Sequence, residues 1–89
     1  MRIAKTDDFQ KDRKALPHDA QQILRKQEGL FLSNPFDPRL HAKKLKELSG
    51  IYSFRVTRRY RVLFYLENKD TAVFFAVGHR KEIYKDAKK

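Results

Sequence analysis

A short segment near the end of the chain carries residue types suited to acting on a phosphodiester. It reads Gly78-His79-Arg80-Lys81-Glu82-Ile83-Tyr84, and Arg80 and Tyr84 are four residues apart. On a helical turn these two side chains would share one face. The guanidinium could then hold a phosphate while the phenol stacks on a base or transfers a proton. The same pattern also fits a plain C-terminal turn in which Tyr84 packs on a sheet.

Basic residues form a second candidate site earlier in the chain. Its members are Arg55, Arg58, Arg59 and Arg61, with Lys43, Lys44 and Lys46 just before them. Arg55 and Arg61 fall on strand faces opposite the large apolar side chains. Because a guanidinium fork binds phosphate oxygens through paired hydrogen bonds, such a face suits a nucleic acid. The alternative is a solvated face that keeps the protein soluble.

The histidines give little support to a metal site. His18, His41 and His79 are far apart in sequence, with no His-Glu-x-x-His spacing and no paired carboxylates nearby. The chain has no cysteine, which excludes disulfides, thiolate zinc sites and cysteine nucleophiles. We therefore expect no metal and no small-molecule cofactor. His79, beside Arg80, is the histidine expected to contact phosphate or to act as a general base.

Charge and length limit the possible partners. The chain has 89 residues and a net charge of +10, which predicts one domain over residues 1–89 with a polyanionic partner. Residues 1–40 hold 8 basic and 6 acidic side chains, whereas residues 41–89 hold 13 and 5, so the anion-binding surface belongs to the second half. We find no apolar run long enough to span a membrane and no apolar signal segment. We therefore expect no membrane partner and a cytoplasmic location.

The elements that would position these residues change type halfway along the chain. A short strand is expected at residues 2–5, followed by helices at 7–15 and 18–32 that are separated by Leu16-Pro17. Residues 34–38 form a proline-containing loop, and residues 45–50 a short connector and turn. Residues 51–56 and 60–66 alternate with period two, and residues 71–77 are almost all apolar, which is typical of a central strand.

This order predicts an α+β fold in which a helical hairpin packs on a small, largely antiparallel sheet. Residues 67–70 are expected to form a turn, and Gly78 to end the last strand. Residues 79–89 are expected to give one helical turn and a frayed end at Lys88 and Lys89. Because a small core needs most of the aromatic residues, only Tyr52, Tyr65 or Tyr84 is expected to stack on RNA bases.

Taken together, an ordered set of segments resembles the RelE/ParE superfamily of toxins from type II toxin–antitoxin systems. The first half contributes Thr6-Asp7-Asp8-Phe9, Leu16-Pro17 and Asn34-Pro35. The second half contributes Leu45, Leu48-Ser49-Gly50, Tyr52-Ser53-Phe54-Arg55-Val56, Tyr60-Arg61-Val62, Phe64-Tyr65 and Val77 to Tyr84. The resemblance covers nearly the whole chain.

The resemblance implies a toxin that cuts mRNA in the ribosomal A site and is neutralised by a cognate antitoxin protein. In such an endoribonuclease the 2′-hydroxyl of a nucleotide attacks its own 3′-phosphate without a metal. The family pattern assigns stabilisation of the phosphate to Arg61, similar work or acid catalysis to Arg80, and stacking or proton transfer to Tyr84. RelE itself has two lysines on its second strand where this sequence has Ser53 and Arg55. Arg55 is a poor base because it stays protonated, so His79, Tyr84 and Lys46 remain candidates for the base.

Two other functions fit the same sequence. A ParE-like toxin would inhibit DNA gyrase by binding it, without catalysis, and would have the same fold and charge. A plain RNA-binding module would bind with a steep salt dependence and release no cleaved product. The presence of Arg61, Arg80 and Tyr84 favours the ribonuclease.

Overall fold

The structure, a computed structural model, describes residues 1–87; Lys88 and Lys89 lie outside the described residues. The first half contains strand β1 (Arg2–Lys5), helices α1 (Asp7–Ala15) and α2 (His18–Ser33), and a 3-10 turn (Pro38–Leu40). The second half contains β2 (Lys43–Lys44), β3 (Ile51–Arg55), β4 (Tyr60–Asn68), β5 (Thr71–His79) and α3 (Ile83–Ala87). No helix among residues 1–87 is long and apolar enough to cross a membrane.

Local signals explain where the helical hairpin begins and turns. The Thr6 Oγ1 accepts a hydrogen bond from the Phe9 backbone N–H at 3.1 Å and so caps α1. Asp7 and Asp8 in the first turn face the positive end of the helix dipole. Leu16, which precedes Pro17, adopts an extended backbone and ends the helix. The predicted corner between the two helices is therefore confirmed.

The five strands form one sheet in the order β1-β5-β4-β3-β2. All neighbouring pairs are antiparallel except β1 and β5, which are parallel. Where β1 ends, the Asp12 Oδ2 accepts a hydrogen bond from the Val77 backbone N–H at 3.2 Å. A side chain of α1 thus replaces the missing strand partner at that edge.

The two long helices cover one face of the sheet with an aromatic core. Phe31 of α2 lies at its centre, with ring centroids 5.0–5.5 Å from Phe54, Phe64 and Phe74. Every one of these rings is fully buried. The period-two pattern of β3 and β4 therefore predicts the core face correctly.

The opposite face carries a smaller cluster made of Leu63, Ala76 and Ile83. Ile83 belongs to α3, so this short helix lies on the face away from the helical hairpin. The α+β architecture is confirmed, but not every helix lies on one face. The consequence is that α3 brings Tyr84 to the polar residues of that face.

The strands differ from those expected at several points. Gly78 does not end β5, because it pairs with Arg61 and the ladder continues to His79. The strand β4 extends through Asn68, so the turn is shorter than the predicted residues 67–70. The strand β2 was not expected, since two lysines show no period, yet they pair with Ser53 and Tyr52.

Candidate anion-binding site around Arg61

Arg61 lies in the middle of the sheet, on the face away from the helical hairpin. It pairs with Arg55 on β3 and with Gly78 on β5, so these residues form one row across three strands. Directly opposed residues of antiparallel strands point to the same face. Gly78 adds no side chain to this row, and a Cβ there would lie 3.4 Å from the Ile83 Cδ1. This is an ordinary van der Waals distance, and it shows that α3 lies directly beside the row that contains Arg61.

Two hydrogen bonds hold the Arg61 guanidinium. Its Nε donates to the Ser53 Oγ at 3.1 Å, and its Nη2 donates to the backbone carbonyl of His41 at 2.9 Å. Ser53 is completely buried and Arg61 is only 9% exposed. These bonds use some of the guanidinium donors and leave others for an outside acceptor.

Among the residues that the structure describes, no ion pair joins Arg61 to a carboxylate. Ion pairs between described residues join Lys5 to Glu28 and Arg39 to Asp37, away from Arg61. Burial lowers the pKa of the Arg61 guanidinium, the Tyr84 hydroxyl nearby raises it, and the Arg55 charge lowers it again. The ordinary arginine pKa is so high that the group remains charged. A buried guanidinium of this kind favours an anion as its ligand.

Tyr84 and Lys43 lie on the same face. The Lys43 Nζ lies 6.0 Å from the centre of the Tyr84 ring, at the outer limit of a cation–π contact. Tyr84 also borders an open pocket of about 320 Å³, which is lined in addition by Leu45, Lys46, Glu47 and Leu48. The arrangement places a phenol, an apolar wall and several cations around one surface.

Other predicted site residues lie elsewhere. His79 pairs with Tyr60 and their rings are in contact, so its side chain lies on the core face, opposite to Arg61. Its Nδ1 also accepts a hydrogen bond from the Lys81 backbone N–H. Lys44 pairs with Tyr52 and is likewise on the core face. Lys44, which was predicted in one basic site with Arg61, therefore lies on the opposite face of the sheet, and so does His79.

Arg58 and Arg59 lie in the β3–β4 loop and border a pocket with Pro17 and Asp19 at the start of α2. The Arg80 backbone N–H donates to the Arg59 carbonyl at 2.7 Å, so these two arginines are neighbours at one end of the sheet. Arg80 precedes α3, which begins only at Ile83. The expectation that Arg80 and Tyr84 share a helical face is therefore wrong.

The three tyrosines that were candidates for stacking on bases lie in different parts of the structure. Tyr52 lies on the core face and stacks on Phe64, with centroids 5.5 Å apart, so it is part of the core rather than available to a base. Tyr65 remains 37% exposed and contacts Phe75. Tyr84 is the tyrosine that lies near Arg61.

Sequence reasoning missed the two groups that hold Arg61. Ser53 could have been identified, because it lies on the same face of β3 as Arg55. The His41 carbonyl could not, because its contact depends on a loop conformation 20 residues away in sequence. Among the side chains that the structure describes, no group of His, Asp and Glu residues could hold a metal ion.

Comparison with known proteins agrees with this fold. The family model for the ParE toxin of the type II toxin–antitoxin system parDE matches residues 3–84. No curated protein sequence matches the chain.

Solved structures of toxins have the same architecture. The chain is 30% identical to a chain of the RelB–RelE antitoxin–toxin complex from Methanococcus jannaschii, with a TM-score of 0.75 over 93% of this chain and 96% of that one. The archaeal RelE–RelB complex from Pyrococcus horikoshii OT3 gives 18% identity and a TM-score of 0.72, covering 89% and 93%. The intact E. coli RelBE complex gives 18% identity and a TM-score of 0.69, covering 88% and 94%. The chain therefore belongs to the ParE toxin family of type II toxin–antitoxin systems, within the RelE/ParE superfamily.

Proposed function

We propose that this toxin is a ribosome-dependent endoribonuclease that cuts mRNA and inhibits translation. The observation that carries the proposal is Arg61, a nearly buried guanidinium held by Ser53 and by the His41 carbonyl, with no carboxylate partner among the described residues. A preorganised, buried cation stabilises developing negative charge far better than a solvated one. A scissile phosphate supplies such charge.

The chemistry uses the RNA as its own nucleophile. The 2′-hydroxyl of one nucleotide loses its proton and attacks the adjacent phosphorus, while the bond to the 5′-oxygen of the next nucleotide breaks. The products are a 2′,3′-cyclic phosphate and a 5′-hydroxyl. Because the nucleophile is internal, positioning and charge stabilisation supply most of the catalysis. Arg61 contributes at the phosphate, and the neighbouring Arg55 and Lys43 increase the local positive field.

Tyr84 and Arg80 supply the remaining functions. Tyr84 stacks on a base or transfers a proton beside Arg61, and the pocket lined by Leu45 and Leu48 offers an apolar wall to that base. Arg80 binds phosphate or acts as the acid. With His79 on the other face of the sheet, Tyr84 and Lys46 are the candidates for the general base.

The partners follow from the same surfaces. The substrate is mRNA in the ribosome, and the remaining basic residues, Arg58 and Arg59, bind RNA phosphates. An antitoxin protein neutralises the toxin by covering it with an acidic or amphipathic segment that folds on binding. The RelE chains of the solved structures above are found with their RelB antitoxins. Ile23, Leu32 and Phe36, which are all exposed, provide apolar surface for such a segment. We place this system in the cytoplasm.

The proposal is tested by incubating the purified chain with a defined mRNA, with and without programmed ribosomes, and mapping 5′ ends by primer extension. We expect cuts only when ribosomes are present and their loss in Arg80→Gln. Intact mRNA under every condition would contradict the proposal. RNA binding with no cleaved product would instead identify a plain RNA-binding module.

A second candidate is inhibition of DNA gyrase, because the matching family model is that of ParE. A gyrase inhibitor needs a binding surface but not a buried cation aimed at a phosphate. Gyrase supercoiling assays without ribosomes distinguish the two functions. Inhibition that persists in Arg61→Gln would support the ParE-like function.

A further inference from the structure

The two hydrogen bonds of Arg61 lead to an inference about the groups that accept them, which do not themselves bind the phosphate. We propose that Ser53 and the backbone carbonyl of His41 are positioning groups, which fix the Arg61 guanidinium in one orientation so that its remaining donors meet the transition state. This inference rests on the proposed endoribonuclease function. It assigns His41 a role through its carbonyl rather than through its imidazole.

Three separate segments converge on the guanidinium. Arg61 is on β4 and Ser53 is on β3, eight residues earlier, while His41 lies in the loop before β2. The Ser53 hydroxyl fixes the Nε end and the His41 carbonyl fixes one terminal nitrogen. A planar group held at two of its three nitrogens has little freedom to rotate, so its orientation is set before any ligand binds.

Ser53 is suited to this task because it is small and fully buried. It lies on the same face as Arg61, and its strand partner on the other side is Lys43. A longer side chain at position 53 would occupy the space above β3 that the guanidinium now uses. The hydroxyl accepts the Arg61 hydrogen bond without bringing a negative charge that would compete with a phosphate.

His41 supplies its carbonyl through an unusual backbone conformation. It follows the 3-10 turn Pro38–Leu40 and has φ 49° and ψ 43°, in the left-handed region. Among the described residues it is the one non-glycine residue with positive φ. Non-glycine residues adopt this conformation uncommonly, and it persists where the surrounding structure holds it. The hydrogen bond from Arg61 is one such restraint.

The first test changes Ser53 and measures single-turnover cleavage on programmed ribosomes. We expect Ser53→Ala to lower the maximal single-turnover rate by roughly 10- to 100-fold, with little change in the ribosome concentration that gives half of that rate, because a misplaced catalytic group costs rate rather than binding. Ser53→Thr keeps the hydroxyl without lengthening the side chain and should recover most of the lost rate. Ser49→Ala, a change at an exposed turn serine, is the matched control and should cut like the wild type.

The second measurement does not depend on activity. The Arg61 Nε–H should give a protected signal in a ¹H–¹⁵N NMR spectrum of the free toxin. In Ser53→Ala its hydrogen exchange should accelerate by roughly tenfold or more, since the buried acceptor is gone. Unchanged exchange in a folded Ser53→Ala variant would show that Ser53 does not hold Arg61 and would overturn the proposal.

A pair of variants at position 41 separates the carbonyl from the imidazole. Glycine adopts the left-handed conformation freely, whereas valine strongly disfavours it. We expect His41→Gly to cut at least roughly tenfold faster than His41→Val, because a displaced guanidinium loses rate. Equal losses in both variants would identify the imidazole as the important group and overturn this part of the proposal.

The experiments distinguish a failure of the positioning role from a failure of the proposed endoribonuclease function. If the wild type cuts and Ser53→Ala cuts equally well with fast Arg61 exchange, the positioning role is wrong while the ribonuclease stands. If the wild type does not cut, the proposed function is wrong. The exchange measurement still decides in that case whether Ser53 holds the guanidinium.

Discussion

At the scale of single residues, Arg61 is a charge whose burial opposes folding. Burial lowers its pKa, which means that the charged form is less favourable in the folded state than in the unfolded state. This penalty acts at every pH below the folded pKa and therefore throughout the physiological range. A buried charge with this penalty, and with no ion pair to a carboxylate among the described residues, is suited to ligand binding.

Arg61→Met should therefore separate function from stability. We expect cleavage to be lost, while the free energy of unfolding stays the same or rises by about 1 kcal/mol, because the buried charge is replaced by an apolar side chain of similar length. Urea denaturation monitored by circular dichroism measures the second quantity. A loss of more than about 2 kcal/mol would show that the two hydrogen bonds of Arg61 hold the fold together.

Asp37 offers a titration on a group away from the site. Its carboxylate accepts hydrogen bonds from the Arg39 side chain and backbone, and these lower the Asp37 pKa from 3.8 to about 2. The resulting stabilisation is present above the unfolded pKa and is lost as the pH falls from 3.8 through the folded value. An NMR titration of the wild type should show Asp37 protonating near pH 2. In Arg39→Gln the pKa of Asp37 should be higher. A wild-type transition near 3.8 would contradict the ion pair.

At the scale of elements, the fold depends on one helix delivering one ring to the sheet. Phe31 of α2 contacts the rings of Phe54, Phe64 and Phe74, which come from all three long strands. Edge and tilted contacts at these centroid distances add to the stabilisation from buried area. The helical hairpin and the strands therefore share a single core.

Phe31→Ala should be among the most destabilising single changes. We expect the free energy of unfolding to fall by about 3–5 kcal/mol, because the truncation leaves a cavity between α2 and the sheet. Leu32→Ala is the matched control, since Leu32 is the next residue on the same helix and is 47% exposed. Its effect should stay within about 0.5 kcal/mol. Equal effects in the two variants would mean that the core is assembled differently.

Some of the helices and strands were predictable from the sequence, and others were not. Periods of 3.6 and 2 predicted the helical hairpin and the core faces of β3 and β4, because those patterns report burial directly. They missed β2, since two exposed lysines have no period of their own. The same patterns predicted that β5 ends at Gly78, because the local strand propensity is weak there. In the structure Gly78 pairs with Arg61, and β5 continues to His79.

The candidate site was predictable only in part. Alternation placed Arg55 and Arg61 together on one face, and the structure brings Tyr84 to that face through α3. The alternation could not show on which face His79 lies, because that face depends on β5 continuing past Gly78. It could not find the His41 carbonyl, because a backbone group has no signature in the sequence.

At the scale of the whole molecule, a net charge of +10 is a long-range attraction for RNA. Arg58 and Arg59 are exposed in the β3–β4 loop, close to Arg80 in the chain's fold. Exposed arginines of this kind bind phosphates by releasing counterions. Arg58 and Arg59 should therefore contribute more to RNA affinity than to the rate of cleavage.

Binding to a single-stranded RNA oligonucleotide should therefore depend steeply on salt. Replacing both Arg58 and Arg59 with Gln should reduce the slope of log K against log salt by about one to two. The control replaces Lys11 and Lys26, which are exposed on the helical hairpin, and should leave the slope nearly unchanged. Fluorescence anisotropy at several salt concentrations gives the slopes. Equal reductions in the two pairs would mean that net charge alone governs binding.

The central claim is that Arg61 stabilises a phosphate that is attacked by the neighbouring 2′-hydroxyl. The most direct measurement is the cleavage rate on programmed ribosomes, together with the chemistry of the RNA ends, for wild type, Arg61→Gln and the control Lys26→Gln. We predict 5′-hydroxyl and 2′,3′-cyclic phosphate ends for wild type and control, and a rate lower by roughly 10²–10³ for Arg61→Gln. Equal rates for Arg61→Gln and wild type, or different end groups, would contradict the account.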